Sequence, residues 1–325
     1  MRSIVLLPYF SRKLPKYFSL FLASVEKNRD TDFLIFTNLK NPEQLPKNVI
    51  WKKGQLKDIN TRTLQQTGID PGITRAYKLC DLKPFYGLIF SDLIDHYDYW
   101  AYGDMDVIFG NLDQFLQKIC REERYDIISF RVNWLSGCLC FFRNDPKINQ
   151  LCLQSRDWKE VLSTPEHYFG YDEVSWKNGR MIFWKLVNGQ DLIELQTDVQ
   201  SFTEVVMTAP GLKMHFGDLV KESIEEHMLL EISAEKVLIG SRFQKGFQAA
   251  YEMAAYHLVS EKNRPYFRFP AWKKVPERYY ISRSGFSRKP ARSTAEKLSH
   301  SAHLLFRSYP LYYFKKIRKK LRGKN

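Results

Sequence analysis

Short apolar runs separated by polar stretches organise the first part of the chain. Residues 4–7, 33–37 and 49–52 have the length and composition of buried strands, and residues 16–28 have helical character. A strand, a helix and a strand in this order predict a parallel sheet with helices packed against it. Ligands of such sheets bind at the carboxyl ends of the strands, so we expect residues 8–11 to lie near a ligand.

The same pattern continues towards the middle of the chain. Residues 74–90 carry apolar positions at helical spacing and predict a helix, whose regularity Pro84 limits. Residues 97–102, 125–130 and 137–142 predict three further strands. The alternation of helices and strands therefore indicates an α/β protein.

Length and composition are those of a folded protein with a large core. The chain has 325 residues, 44% of them hydrophobic, which suffices for a large α/β domain and an appendage. Nothing approaches the roughly 18 to 20 apolar residues of a membrane span, and residues 1–3 lead directly into a strand rather than a signal peptide. We therefore expect a cytoplasmic protein whose five cysteines are reduced and mostly buried.

The formal charge of +14 is concentrated at the C-terminus. Residues 264–325 carry 18 lysines and arginines against two acidic residues. Within residues 308–322, a helix would place Phe314, Ile317 and Leu321 on one face beside a dense cationic face. This pattern favours an anionic membrane surface as partner. A disordered solubilising tail is the alternative, and nucleic acid is the least favoured partner.

Two aspartates in an apolar setting carry the clearest chemical signal. Asp104 and Asp106 are one residue apart at the end of a predicted strand, so both carboxylates can point the same way. Their hard oxygens suit Mg²⁺ or Mn²⁺, which can also bridge a diphosphate. Asp-x-Asp also occurs in solvated loops, but the apolar residues on both sides favour a metal site.

Around these aspartates, residues 102–110 read Tyr-Gly-Asp-x-Asp-Val-Ile-Phe-Gly. This stretch resembles the one that characterises a bacterial group of GT-A glycosyltransferases that form polysaccharides. The Pro-Tyr-Phe of residues 8–10 and the Tyr-Lys-x-Cys-Asp-x-Lys-Pro of residues 77–84 are similar as well. Gly-Tyr-Asp-Glu at residues 170–173 and, loosely, Tyr-His-Leu at residues 256–258 extend the resemblance over most of the chain.

The resemblance implies a fold and a domain organisation. The fold is a GT-A (Rossmann-like) mixed α/β sheet flanked by helices, followed by a basic, partly helical tail. Residues 1–262 would form the catalytic domain, with residues 1–150 binding nucleotide sugar and metal and residues 151–262 the acceptor. Residues 263–325 would form the tail.

The resemblance also implies an activity. The expected enzyme is a hexosyltransferase-like glycosyltransferase that uses Mn²⁺ or Mg²⁺ and a nucleotide-diphosphate sugar, with a UDP-sugar as the expected donor. The resemblance gives neither the sugar nor the acceptor. Our hypothesis is that the acceptor is a glycan or lipid-linked oligosaccharide in the synthesis of surface polysaccharide, such as lipopolysaccharide or capsule. The expected location is the cytoplasmic face of the cell membrane.

Matching positions give candidate site residues. Asp104 and Asp106 are the expected metal ligands, and His257 is similar to a late histidine that completes the metal shell in related enzymes. The expected contacts to the donor are Pro8, Tyr9, Lys78, Asp81, Lys83, Asp104 and Lys262. For Lys78, Asp81 and Lys83, an ordinary helix surface is the alternative, and for His257 it is a packed aromatic ring.

Asp172 and Glu173 are the candidate catalytic residues. In an inverting enzyme one of them would be the general base for the acceptor hydroxyl, whereas in a retaining enzyme they would position substrates or stabilise charge. The alternative is a helix N-terminus, where acidic residues are common.

Two other classes of function stay open from the sequence. Paired aspartates also serve metal-dependent nucleotidyltransferases. A non-enzymatic protein that presents a basic tail to membrane or nucleic acid is the second alternative. The chain has no Gly-x-x-x-x-Gly-Lys motif, which argues against a P-loop nucleoside triphosphatase.

Overall fold

A computed structural model gives the structure of the protein. It describes residues 1–121, 123–174, 199–226, 228–233, 236–241, 247–290, 305–306, 309–310 and 313–314. These residues fall into two units, which are described separately. The first comprises Met1–Val107 and Leu112–Val220, and the second comprises Ile108–Asn111 and Lys221–Asn325.

The strands are numbered in chain order. They are β1 (Ser3–Pro8), β2 (Thr31–Thr37), β3 (Val49–Lys53), β4 (Tyr99–Gly103), β5 (Val107–Phe109), β6 (Ile127–Ser129), β7 (Leu139–Arg143), β8 (Met214–Phe216), β9 (Val220–Lys221), β10 (Met228–Ile232), β11 (Val237–Ser241), β12 (Gln248–Met253), β13 (Ala255–His257), β14 (Tyr279–Ser282) and β15 (Gly285–Ser287).

The helical segments include both α-helices and shorter 3₁₀ turns. Those in the described residues are Phe18–Val25, Leu56–Thr67, Ala76–Lys78, Leu79–Leu82, Lys83–Phe85, Tyr86–Ile89, Ser91–Ile94, Leu112–Ile119, Pro146–Asn149, Leu151–Gln154, Trp158–Ser163 and Phe202–Thr208.

A seven-stranded sheet forms the centre of the first unit. Its order is β3-β2-β1-β4-β7-β6-β8. β3, β2, β1 and β4 run parallel, and β7 runs antiparallel to both of its neighbours. The predicted fold class, a mixed α/β sheet flanked by helices, is confirmed.

The sequence explains why β4 lies in the middle of this sheet. All five of its residues are buried, and the ring of Trp100 stacks on that of Phe142 in β7 with centroids 4.5 Å apart. Strands covered on both faces read as continuous apolar runs, and β4 is such a run. The chain therefore turns at the end of a rigid, central strand.

Residues 74–90 differ from the single helix that their pattern predicts. They fold into successive short helical segments, with Lys83–Phe85 as a 3₁₀ turn that contains Pro84. Proline has no backbone N–H to continue an α-helix, so the helix breaks here. The side chains of Lys78 and Lys83, which both precede the proline, are buried.

One edge of the sheet collects the predicted site residues of the first unit. The parallel strands β1 and β4 end at Pro8 and Gly103, and the antiparallel β7 begins at the same edge because Leu139 pairs with Gly103. Residues that follow β1 and β4 and precede β7 therefore meet at this edge.

The second unit is mainly antiparallel. Five strands pair in the order β12-β11-β10-β14-β15, and three short strands pair in the order β5-β13-β9. The unit runs across the predicted domain boundary at residue 262, since β14 and β15 extend the sheet that contains β10.

Among the described residues, no helix combines the length and hydropathy required to cross a membrane.

Gly103 offers a test of how tightly β4 packs. An added Cβ would lie 2.8 Å from Cγ1 of Val5 and 3.2 Å from Cδ2 of Leu7. We expect Gly103→Ala to lower the free energy of unfolding by about 1–3 kcal/mol, the usual cost of overpacking a core. Urea denaturation measures it, with Ser19→Ala on an exposed helix position as control. Equal stability of the two variants would show that β1 and β4 have room to separate.

Candidate functional site

Asp104 and Asp106 lie in the turn that follows β4. The backbone N–H of Asp104 donates a hydrogen bond to the carbonyl of Cys138, 3.1 Å away, which anchors the turn to the start of β7. A carboxylate oxygen of Asp104 lies within 4.8 Å of one from Asp106. The two carboxylates therefore converge, as the sequence pattern predicts for strand-end positions.

The chemistry of this pair fits a divalent cation. Two carboxylate oxygens this close repel each other unless a cation lies between or beside them. Oxygen donors are the preferred ligands of Mg²⁺ and Mn²⁺. The Asp104 side chain is 29% exposed, so solvent and ligands can reach it.

Lys83 joins Asp104 to two other parts of the site. Its Nζ lies 2.8 Å from Oδ1 of Asp104 and 3.4 Å from Oδ2 of Asp172. It also donates a hydrogen bond of 2.6 Å to the carbonyl of Gly137. Burial alone would lower the pKa of Lys83, but the attraction of Asp104, together with Cys80 and Asp172, raises that pKa well above its usual value. Lys83 is therefore a buried cation held by anions.

The side chain of Asp172 is more buried than that of Asp104. Its side chain is 3% exposed, and the hydroxyl of Tyr168 donates to its Oδ1 over 3.3 Å. The hydroxyl of Tyr102 in β4 donates to its backbone carbonyl over 3.2 Å. Burial raises the pKa of Asp172 well above the usual value, and Lys83 opposes that rise. The loop that carries Asp172 is thus tied to β4, the strand that directly precedes Asp104.

Glu173 is fixed from two directions. Its Oε1 accepts a hydrogen bond of 2.8 Å from the backbone N–H of Gly137, and its own carbonyl accepts one from the hydroxyl of Thr203. A Cβ on residue 137 would lie 2.6 Å from Cγ of Glu173, so this approach requires glycine. The backbone of one residue, Gly137, therefore contacts both Lys83 and Glu173.

Lys78 and Asp81 form a buried ion pair that supports the same loop. Lys78 Nζ lies 2.9 Å from Oδ2 of Asp81 and donates to the carbonyl of His167 over 2.8 Å. The carboxylate of Asp81 accepts hydrogen bonds from the backbone N–H groups of Phe169 and Tyr171 at 3.0 and 2.9 Å. The pair fixes the backbone just before Asp172. Its predicted contact with a donor stays a prediction.

Pro8 and Tyr9 lie where the parallel sheet predicts a ligand loop. Pro8 ends β1, and the N–H of Tyr9 donates to the carbonyl of Phe36 over 2.9 Å. Tyr17, which the sequence analysis missed, lies in the same region. Burial, followed by Asp106, Tyr9 and Asp104, raises the pKa of Tyr17 above its usual value. Tyr17 precedes a helix in an ordinary sequence context, so no motif marks it.

The two remaining candidates belong to the second unit. His257 ends β13 and is buried, with its Nδ1 3.0 Å from Oε1 of Glu222. A carboxylate at Nδ1 favours the tautomer in which Nε2 carries the free lone pair, as metal-binding histidines require. Lys262 is partly buried, and its N–H donates to the carbonyl of Leu258 over 2.9 Å. Their roles as metal ligand and donor contact stay predictions.

Part of the predicted tail is not covered by the structure. The stretch 308–322, predicted as a membrane-surface helix, falls largely outside the described residues.

Sequence comparison places the chain in one family. Residues 5–290 match the family described as "Family of unknown function (DUF6625)". The chain belongs to this family. No curated protein sequence matches it.

Two of the solved structures that match this DUF6625 protein are both glycosyltransferases. One is a glycosyltransferase involved in the glycosylation of the major capsid of PBCV-1, with 10% identity and a TM-score of 0.33, covering 68% of this chain and 85% of that one. The other is mouse xyloside xylosyltransferase 1 in its apo form, with 8% identity and a TM-score of 0.40, covering 79% of this chain and 97% of that one. At these scores the likeness transfers no activity.

The Lys78–Asp81 pair gives a stability prediction for this DUF6625 protein. We expect Asp81→Asn to lower the free energy of unfolding by about 3 kcal/mol or more, because it leaves a buried ammonium without its anion. Chemical denaturation measures the change. Lys213→Met is the control, since its ion pair with Glu123 is 61% and 43% exposed and contributes little. Similar effects of the two variants would contradict the assigned role of the buried pair.

Proposed function

We propose that this DUF6625 protein is a metal-assisted glycosyltransferase of hexosyltransferase type. It moves a sugar from a nucleotide-diphosphate sugar, a UDP-sugar in the first instance, to a glycan or lipid-linked oligosaccharide acceptor. The product belongs to surface polysaccharide, such as lipopolysaccharide or capsule. The reaction takes place on the cytoplasmic side of the cell membrane.

One observation carries the proposal. Asp104 and Asp106 converge at the carboxyl edge of a parallel sheet, and Lys83 connects Asp104 directly to Asp172, next to Glu173. Sugar transfer from a nucleoside diphosphate needs a cation at the leaving group and carboxylates near the reacting sugars. The two acidic pairs supply these two requirements within one unit of the chain.

Asp104 and Asp106 have the metal-binding role in this proposal. When bound, Mn²⁺ or Mg²⁺ supplies charge neutralisation for the leaving nucleoside diphosphate. Pro8 and Tyr9 contribute the loop after β1, which adjoins the strand end that carries the aspartates. The metal role of His257 and the donor contacts of Lys78, Asp81, Lys83 and Lys262 stay predictions.

Asp172 and Glu173 are the catalytic residues in this proposal. Burial disfavours the charged form of Asp172 and raises its pKa, which strengthens the carboxylate as a proton acceptor. Glu173 is partly exposed, and Gly137 fixes one of its oxygens. The arrangement is compatible with a base on the acceptor hydroxyl or with charge stabilisation at the sugar.

The first experiment tests the donor site by ligand-induced stabilisation. Melting temperatures are measured with a panel of nucleoside diphosphates and their sugars, with and without Mn²⁺ or Mg²⁺. A ligand that binds only the native state raises the melting temperature by mass action. We expect a metal-dependent rise with one nucleotide, and we expect Asp104→Asn/Asp106→Asn to abolish it.

A second Asp-x-Asp in the chain supplies the matched control. Asp30 and Asp32 have the same spacing, but they flank the amino end of β2, at the opposite edge of the sheet. We expect Asp30→Asn/Asp32→Asn to keep the metal-dependent rise even where its own stability changes. A rise that persists in Asp104→Asn/Asp106→Asn, or that is absent with every nucleotide, would overturn the donor-site assignment.

The proposed membrane location has its own test. We expect removal of residues 291–325 to reduce sedimentation with phosphatidylglycerol vesicles, because each cation near an anionic surface contributes about 1 kcal/mol of binding. Phosphatidylcholine vesicles are the uncharged control. Nucleotide-dependent stabilisation is expected to survive the truncation, which spares β14 and β15. Equal sedimentation of both forms would exclude the tail as the membrane contact.

A further inference from the structure

The Lys83 ammonium is fully engaged by the protein itself. An ammonium group has three N–H donors. Three oxygens surround Nζ, from Gly137 at 2.6 Å, Asp104 at 2.8 Å and Asp172 at 3.4 Å. The side chain is 6% exposed. Its charge therefore acts on the site from a fixed position within the protein.

The Lys83 ammonium contacts Asp104, one of the two carboxylates to which the proposed function assigns a metal ion. Lys83 and a divalent cation on Asp104 would repel each other. Such repulsion is weak in water but strong in a buried site, where the effective dielectric constant is low.

We propose that Lys83 weakens the binding of a divalent metal ion to Asp104 and Asp106 when no diphosphate is present. The negative charge of a diphosphate offsets the combined positive charge of the ammonium and the metal ion. The metal ion therefore binds tightly together with the nucleotide and only weakly before it. This inference rests on the proposed function, because it assumes the metal site at Asp104 and Asp106.

The test measures the binding of Mn²⁺ alone, by calorimetry and by the electron paramagnetic resonance signal of the free ion. We expect Lys83→Met, which keeps the length of the side chain without its charge, to bind Mn²⁺ at least about tenfold more tightly than the wild type. Lys83→Arg keeps the charge and is expected to bind weakly, like the wild type. Addition of UDP is expected to raise the Mn²⁺ affinity of the wild type.

Arg143→Met is the matched control for loss of an ion-paired cation. Arg143 ends β7 at the sheet edge opposite Gly137, and it pairs with Asp126 at 2.8 Å. We expect this variant to bind Mn²⁺ like the wild type. A general gain in affinity on removal of any positive charge would appear here too, and it would overturn the specific role of Lys83.

A second pair of variants tests the proposal if Lys83→Met does not fold. Lys83→Met/Asp172→Asn removes one charge of each sign from the buried cluster and is compared with Asp172→Asn alone. We expect the double variant to bind Mn²⁺ more tightly than the single one. Equal or weaker binding in folded Lys83→Met than in the wild type, or in the double variant than in Asp172→Asn, would overturn the inference.

The outcomes also separate the inference from the proposed function. If the wild type binds Mn²⁺ through Asp104 and Asp106 but Lys83→Met binds no more tightly, the inference fails and the metal site stands. If no variant binds Mn²⁺ with or without UDP, the metal site itself fails, and the role of Lys83 fails with it.

Discussion

The ammonium of Lys83 is the contact on which the arrangement of the site depends. It bonds to Asp104 after β4, to Asp172 in a distant loop and to the carbonyl of Gly137 before β7. These three segments come from separate parts of the sequence, and without the lysine the buried carboxylate of Asp172 would lose its cation. Because unpaired buried charges are costly, the cation and its partners fold as one arrangement.

The segment from Lys78 to Lys83 organises its surroundings through both of its lysines. Lys78 and Asp81 fix the backbone of residues 167–171, and Lys83 fixes the carboxylate that follows. This segment therefore sets the position of a loop that follows about ninety residues later.

Sheet direction distinguishes two pairs of aspartates with the same spacing. Asp30 and Asp32 stand at the amino end of β2, where Asp32 accepts a hydrogen bond of 2.6 Å from the hydroxyl of Tyr97. Asp104 and Asp106 stand after the carboxyl end of β4, beside the loop from β1. Since ligands of parallel sheets bind at the carboxyl ends of strands, the second pair is the candidate site.

The sequence by itself determined six strands of the central sheet, the α/β class and the position of Asp104 and Asp106 at a strand end, because apolar periodicity and chain direction are local properties. Only the tertiary structure showed that Lys83 is buried among Asp104, Asp172 and Gly137, and that Asp81 binds loop backbone. Charged side chains look alike in a sequence whether they face solvent or interior. Their partners are decided by long-range packing, which no local pattern encodes.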